Sequence, residues 1–415
     1  MDKCNEFSES KTMTYVAVLA ALFITATYLH NAAKTIAVEK QYAQDFAHYY
    51  FFSSLLNKDV NIYKQTPADL AVLKQSFTLP VPPAGKAEYS SFFFLFMTPF
   101  THFSFWTADY LWFAIKQVAL LACLWLTAVL IIGETRTVAR WAAICIVFLA
   151  SQPLLEDLSY GNINVFILLA LIIMAAKSHE KENSALSGIL LAAILLVKPQ
   201  FGLLFFFFLL KKDFRVCLSA FVSYAIFRVI GIGVYGLDIE AAYWHNLARS
   251  STSYGFYTNN VSLCSMLSRP FFGALPPLLL FRIYCIIALA PIYITLRGVY
   301  TGKKGSFLTQ YCLVLCTILL VSPLTEEHHL VITSLAFIAL LYDVHVSRLT
   351  FAMTAAAFCL IMARYSLNSF TFFNYGLPSL LASGKTLGLL LLWGVLFAAS
   401  SGNDKSGSRE LYRTT

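Results

Sequence analysis

The chain has 415 residues, of which 58% are apolar or aromatic and only 13% carry a formal charge. An ordinary soluble domain has about 45–50% and about 25% respectively, so a soluble globular protein is excluded. The net charge of +8 sits at the ends of apolar blocks and not in a basic patch interleaved with aromatics, which marks orientation in a membrane and leaves no nucleic-acid partner to expect.

The first apolar block, 14–32, is long enough to cross a bilayer core of about 30 Å. It is longer than a typical signal-peptide core and is read as an uncleaved span. A polar stretch with Asp45, Asp59, Asp69 and Glu88 follows. The segment 92–105 is short and broken by Pro99, which predicts an interfacial or re-entrant helix. Further blocks lie at 109–132, 141–155, 161–176, 185–197, 200–210, 215–236, 274–297, 307–322, 329–345, 349–365 and 379–399. The expected fold is an all-α polytopic membrane protein of about 12 transmembrane helices, with interfacial helices in the first outer loop. One transmembrane domain is expected over 1–400, with outer loops at 33–89 and 237–273, followed by a polar cytoplasmic tail at 401–415.

Positive residues concentrate in short cytoplasmic loops. With the N-terminus inside, Arg136, Arg140, Lys177, Lys181, Lys211, Lys212, Arg215, Arg297, Lys303, Lys304 and Arg348 all fall inside, as do Lys405, Arg409 and Arg413 of the tail. This predicts a multi-pass protein of the cell (plasma or inner) membrane with both termini cytoplasmic. The first outer loop holds six lysines but is long enough for the charge rule to weaken. The parity requires 186–210 to be a hairpin turning at Lys198-Pro199-Gln200. Two helices of about 12 residues rise only about 18 Å each, so Lys198 is expected to lie recessed in an outward-facing cleft. Of the nine cysteines, seven lie within apolar blocks, and no CxxC or Cys/His spacing predicts a disulfide framework or a zinc site.

With that orientation, Asp45, Glu156, Asp157, Lys198, Arg269, Glu326, Glu327, His328 and His329 all come out on the outer face. Asp343 and His345, at a cytoplasmic joint, are the main exceptions. Asp45 lies in an aromatic segment expected to run along the outer interface, where it is either placed to accept a proton from a hydroxyl or simply solvated. His48 and Tyr49 beside it carry weaker signals. The run Ser322-Pro-Leu-Thr-Glu-Glu-His-His reads as a helix start, with its acids in the first turn, or as a site in which histidines serve a phosphate or move protons. Lys198 before Pro199 either binds an anionic headgroup or snorkels to water; Arg269 before Pro270 allows the same two readings. Tyr160-Gly-Asn-Ile-Asn reads either as a helix cap alone or as a cap that also offers its amides to sugar hydroxyls. Lys116, Arg228 and Arg282, within apolar blocks, are expected to pair between helices or to snorkel.

The order of these segments resembles glycosyltransferase family 87, a group of GT-C membrane mannosyltransferases. The resemblance rests on Asp45 after the first span, Leu55-Leu-Asn-Lys-Asp-Val-Asn-Ile-Tyr63, Tyr89 before a Phe-rich stretch ending in Pro99, and Tyr160-Gly-Asn-Ile-Asn164. It continues through Ser187-Gly188 with Val197-Lys198-Pro199, Asn260-Val-Ser-Leu263 with Arg269, and Ser322-Pro323 with His328-His329. Each motif alone is weak; their order covers roughly 40 to 340. Glu326-Glu327 depart from the pattern by standing where a neutral residue is expected, and His48-Tyr49-Tyr50 is unusual.

The resemblance implies a GT-C-like bundle that moves a sugar, commonly mannose, from a polyprenyl-phosphate donor to a lipid or glycan acceptor on the outer face, with inversion. It implies Asp45 as catalytic base and associates His328 and His329 with the active site. Lys198 and Arg269 are assigned to the donor phosphate, and Tyr160, Asn162, Asn164, Asn260 and Glu327 to sugar or acceptor. Such a transfer has no pyrophosphate to demand a divalent metal, and the chain has no DxD motif, so neither metal nor cofactor is expected. Membrane lipids are the surrounding partners. The competing readings are a lipid or glycan transporter, a non-catalytic assembly subunit, and a polymerase or ligase using a lipid-diphosphate donor. A transporter often shows broken helices in matching halves, and the single broken pair around Lys198 has no counterpart.

Overall fold

A computed structural model describes residues 11–37, 44–76, 86–132, 138–180, 184–250, 254–302, 306–343, 347–364 and 367–401. The polar tail beyond Ser401, Arg136, Lys181, Lys303, Lys304 and His345 lie outside the described residues. The regular elements are helices, in the order α1 (Lys11–Ala37), α2 (Gln44–Leu56), α3 (Pro67–Ser76), α4 (Ser91–Met97), α5 (Phe105–Ile132), α6 (Val138–Leu149), α7 (Gln152–Tyr160), α8 (Asn164–Glu180) and α9 (Ser184–Val197). There follow α10 (Leu203–Leu210), α11 (Phe214–Tyr235), α12 (Leu237–Ser250), α13 (Leu263–Ser268), α14 (Pro277–Thr301), α15 (Phe307–Val321), α16 (Thr333–Asp343), α17 (Arg348–Met362) and α18 (Gly384–Ser401).

Among the described residues, 5 stretches are long and apolar enough to cross a membrane: Thr14–Thr35, Phe105–Val129, Phe214–Tyr235, Pro277–Thr301 and Leu377–Ser401. They turn large apolar side chains outward, such as Leu19 and Phe23 on α1, Leu218 and Phe221 on α11, and Ile286 and Leu289 on α14. Outward apolar faces of this extent suit acyl chains and not water. Shorter apolar helices, including α8, α9, α15 and α17, fill the spaces between them.

Three local features shape the site. The block expected as one span at 141–155 breaks between α6 and α7 with a bend of 53°. Ser151 caps α7 by accepting from the Leu154 N–H, and Pro153 sits in its first turn, where a residue without an N–H is tolerated and cannot continue the preceding helix. Second, α2 is an internal helix of the bundle. Phe46, Tyr49, Phe51, Phe52 and Leu55 are all buried, and the helix packs against α4, α5 and α7. Its apolar residues surround the axis and leave no polar face for water, which is the pattern of an internal helix. Third, the short segment 92–105 resolves into α4 and a 3₁₀ turn at Thr98–His102, too brief to span.

The helix at 184–197 ends where expected, because the residue before a proline is pushed out of the helical region. A 3₁₀ turn at Pro199–Gly202 leads into α10. The two helices on either side of that joint share α11 as a neighbour and otherwise differ: α9 packs on α8, α10 on α14 and α15. Two of the cations in apolar blocks are paired, as expected. Lys116 of α5 meets Asp157 of α7 at 2.7 Å with both side chains fully buried. Arg228 of α11 pairs with Glu240 of α12, its guanidinium lying 4.9 Å from the Trp244 ring.

Candidate active site

The C-terminal ends of α7, α9, α15 and α17 and the N-terminal ends of α8, α16 and α18 meet at one end of the bundle. Asp45, in the first turn of α2, is inserted among them. Asn162 Nδ2 donates to Asp45 Oδ2 at 2.7 Å and stands 3.1 Å from His328 Nε2. The amide is held in that sense because its Oδ1 accepts from the Ile163 N–H and from Asn164 Nδ2, both at 2.7 Å. His328 Nε2 is therefore an acceptor, and the ring carries its proton on Nδ1.

The turn that presents Asn162 is fixed from below. Asp157 Oδ1 accepts from Asn164 through both its main-chain N–H (3.1 Å) and its Nδ2 (3.0 Å), while Lys116 neutralises the other oxygen. Gly161 caps α7 in the left-handed region at φ 70°, and a Cβ there would stand 2.7 Å from the Phe46 Cβ. Only glycine lets α2 approach this closely. Trp112 Nε1 locks the turn by donating to the Gly161 carbonyl at 2.7 Å.

The segment after α15 is held by Asn260. Its Nδ2 donates to the carbonyls of Tyr254 (2.9 Å) and Pro323 (2.7 Å), and its Oδ1 accepts from the N–H groups of Ser262 and Thr325, both at 3.0 Å. With Asn260 bridged to Glu326 as an isolated antiparallel pair, the 3₁₀ turn Glu327–Ile332 begins at a fixed place. Glu326 and His329 form a capping box across its start, in which the Glu326 N–H donates to His329 Nδ1 at 3.1 Å. Glu326 Oε2 then lies 3.6 Å from His328 Nε2, and Asp45 Oδ2 lies 3.9 Å from the same nitrogen. Glu327 turns the other way, to Lys385 of α18 at 2.8 Å.

Among the described residues, Lys198 is a buried cation left without a partner. Its side chain is buried, and its Nζ has no hydrogen-bond partner, a costly arrangement unless a ligand supplies one. The charges acting on it are those of Glu326, Asp157, Asp45 and Glu88. Glu88 accepts from the Tyr254 hydroxyl at 2.9 Å. Burial raises the Asp45 carboxyl to about 6, although the Asn162 hydrogen bond and the Lys198 charge pull it down. Glu326 is pushed up to about 8 by burial and by the charges of Asp45 and Glu88.

The structure thus brings together Asp45, Asn162, His328, His329 and Lys198 of the residues singled out in the sequence. Tyr160 joins them, its ring centroid 5.7 Å from that of His328. Asn260 spends its amide on the protein itself and positions the Glu326 segment; Asn164 positions Asn162 through its Nδ2, while its buried Oδ1 has no hydrogen-bond partner among the described residues. Arg269 is buried and donates to the carbonyls of Asn374 and Phe373, both at 2.7 Å, and of Thr258 at 3.4 Å. None of these belongs to the Asp45 network, so the guanidinium ties the loop before α18 to the segment before α14. His48 is packed in an aromatic cage, 4.6 Å from the Phe52 ring centroid. Sequence reasoning passed over Glu88 as a site residue, took Glu327 where Glu326 faces the network, and missed Lys385. Their tertiary partners carry no local signal.

Glu326, His328 and His329 each bring one donor atom within 4.8 Å of the others, a separation that a divalent ion can bridge. The His328 Nε2 and His329 Nδ1 lone pairs already accept hydrogen bonds, and the Lys198 ammonium acts on the same space. The arrangement is that of a hydrogen-bonded cluster, from which an ion would have to displace two bonds.

The model of glycosyltransferase family 87 matches residues 88–323 of the chain. A search of the curated proteins finds no match. The matched region takes in Tyr160, Asn162, Asn164, Lys198, Asn260 and Arg269; Asp45 and the Glu326–His329 turn lie outside it.

Proposed function

The chain belongs to glycosyltransferase family 87 and is a membrane glycosyltransferase; from that premise we propose that it moves mannose from a polyprenyl-phosphate donor to a hydroxyl of a lipid or glycan acceptor, with inversion. The observation that carries this reading is the buried Lys198 ammonium without a partner, facing an Asp45 carboxylate held in place by Asn162 at 2.7 Å. An inverting transfer from a lipid phosphate needs those two groups: a base for the acceptor hydroxyl and a cation for the departing phosphate.

In this mechanism the donor phosphate takes the place opposite Lys198. The acceptor oxygen attacks the anomeric carbon from the opposite face as Asp45 Oδ2 takes its proton, and the anomeric C–O bond breaks with its electrons on the phosphate. Asn162 keeps the carboxylate aimed and lowers its basicity toward the working pH. His328, neutral with its proton on Nδ1, offers that N–H as a donor, and Tyr160 lies against the same ring as a platform for a sugar. His329, held by its capping bond, offers Nε2–H. Glu327, engaged with Lys385, borders the acceptor side.

The basic joints carrying Lys211, Arg215, Arg297 and Arg348 lie at the helix ends opposite the site. The positive-inside rule puts those ends in the cytoplasm and the site on the outer face of the cell membrane. The test is transfer by purified protein in lipid nanodiscs, with radiolabelled polyprenyl-phosphate mannose, polyprenyl-diphosphate mannose and nucleotide-activated mannose offered in parallel to extracted membrane lipids and glycans. Product from the monophosphate donor alone is expected. Product only from a diphosphate or nucleotide donor overturns the donor assignment.

A further inference from the structure

Of the four carboxylates whose charges act on Lys198, Asp157 is paired with Lys116, which leaves Asp45, Glu88 and Glu326. Asp45 accepts from the Asn162 amide at 2.7 Å and Glu88 from the Tyr254 hydroxyl at 2.9 Å. Each therefore has a side-chain donor that favours its ionised form. Glu326 has none among the described residues. Its carboxylate accepts the main-chain N–H at the start of its own turn, while its Oε2 faces, at 3.6 Å, a His328 nitrogen that is itself an acceptor. The Glu326 charge also acts on Lys198, the cation that the transfer reading gives to the phosphate. A phosphodiester entering this space adds a further negative charge, and the oxygen that meets it with least electrostatic cost is one that carries a proton.

We propose that Glu326 is the catalytic acid of this site, carrying its proton into the donor complex and passing it to the leaving phosphate oxygen. The inference rests on the transfer reading given above. In the step, the acceptor oxygen forms a bond to the anomeric carbon, and the bond from that carbon to the phosphate oxygen breaks, its electron pair staying on the oxygen. The acceptor proton goes to Asp45 and the Glu326 proton goes to the phosphate, so polyprenyl phosphate leaves as a monoanion and the charge of the site is unchanged. The two carboxylates then divide the work of base and acid, each with the affinity for a proton that its role needs. The Glu326 carboxyl, raised to about 8, is protonated at neutral pH, whereas Asp45, at about 6, is ionised there.

Other groups facing Glu326 also titrate or carry charge: Glu156 of α7 beside Asp45 and Glu88, Lys198 as the cation, and the phenols of Tyr89, Tyr160 and Tyr257. His328 and His329 complete the set on its own turn. Of these, Lys198 is the one whose loss of a proton would also slow transfer at alkaline pH, so the test has to separate the two. The dependence of kcat/KM on pH, from about 5 to about 10, is measured in nanodiscs for wild type, Glu326→Gln and Lys198→Arg, with donor binding by each as the check on folding.

Wild type is expected to fall off above about pH 8. Glu326→Gln is expected to be slower by about 10²-fold, with the alkaline fall gone, and Lys198→Arg, which stays charged, to keep it. Wild-type rates in Glu326→Gln, or a fall that persists there and vanishes in Lys198→Arg, overturn the proposal. Absence of transfer by wild type from any lipid-phosphate sugar is the distinct result that removes the parent reading, and this proposal with it.

Discussion

Asn162 donates to Asp45 Oδ2 at 2.7 Å while the same amide nitrogen stands 3.1 Å from His328 Nε2. One side chain thereby aims a carboxylate and sets the tautomer of an imidazole. Its removal is predicted to show as a change in pH dependence. The base role proposed for Asp45 requires it to be ionised, so kcat/KM should fall as pH drops through about 6. Asn162→Ala deletes the hydrogen bond that lowers this carboxyl, so its acid limb should move to higher pH and kcat should drop more than KM changes. An unmoved acid limb would show that Asn162 does not tune Asp45.

Lys198→Met keeps the stem and removes the charge. A hydrogen bond to an ionised group contributes about 1.5–3 kcal/mol, so donor affinity should weaken by roughly 10- to 100-fold. Equilibrium binding of polyprenyl phosphate to the nanodisc-embedded protein measures this. Unchanged affinity would mean that the ammonium is not a phosphate ligand.

Lys116→Met leaves Asp157 buried without its cation. Breaking a buried pair from one side costs about 3–5 kcal/mol, so the melting temperature should fall sharply. Because Asp157 also orients Asn164 and through it Asn162, residual folded protein should lose activity. Replacing both partners, Lys116→Met with Asp157→Leu, should recover most of the thermal stability and little of the transfer.

Gly161→Ala meets two obstacles together, a left-handed backbone at φ 70° and the Phe46 Cβ at 2.7 Å. Strain of this kind costs of order 1–3 kcal/mol. The expected signs are a lower melting temperature and a lower kcat, as α2 and Asp45 are displaced from Asn162. An unaltered kcat would indicate that this contact does not set the base.

The helices themselves were largely legible from apolar block length: α1, α5, α9, α10, α11, α14 and α15 begin and end close to their expected limits. The break at Ser151 was not anticipated, because an N-cap serine followed by a proline is a small signal inside an apolar run. The burial of α2 had no signal of its own, because aromatics at helical spacing look alike on an exposed and an internal helix until something packs over the second face. Asp45, Lys198, His328 and Asn162 could be singled out because an ionisable residue or a glycine-amide turn stands out in an apolar chain. The roles of Asn260, Arg269 and Glu326 could not, since they are decided by main-chain carbonyls and N–H groups brought from distant segments. Arg269 shows this most clearly: a guanidinium at the mouth of a span reads as an anion site, and three carbonyls take it instead.

The proposed transfer from a lipid phosphate depends above all on Asp45 as its base. Its most direct test is single-turnover transfer from polyprenyl-phosphate mannose by wild type and Asp45→Asn in the same nanodiscs, with donor binding measured on each sample. Asp45→Asn is expected to bind donor as wild type does and to transfer at least about 10²-fold more slowly. Transfer by Asp45→Asn at close to the wild-type rate would contradict it.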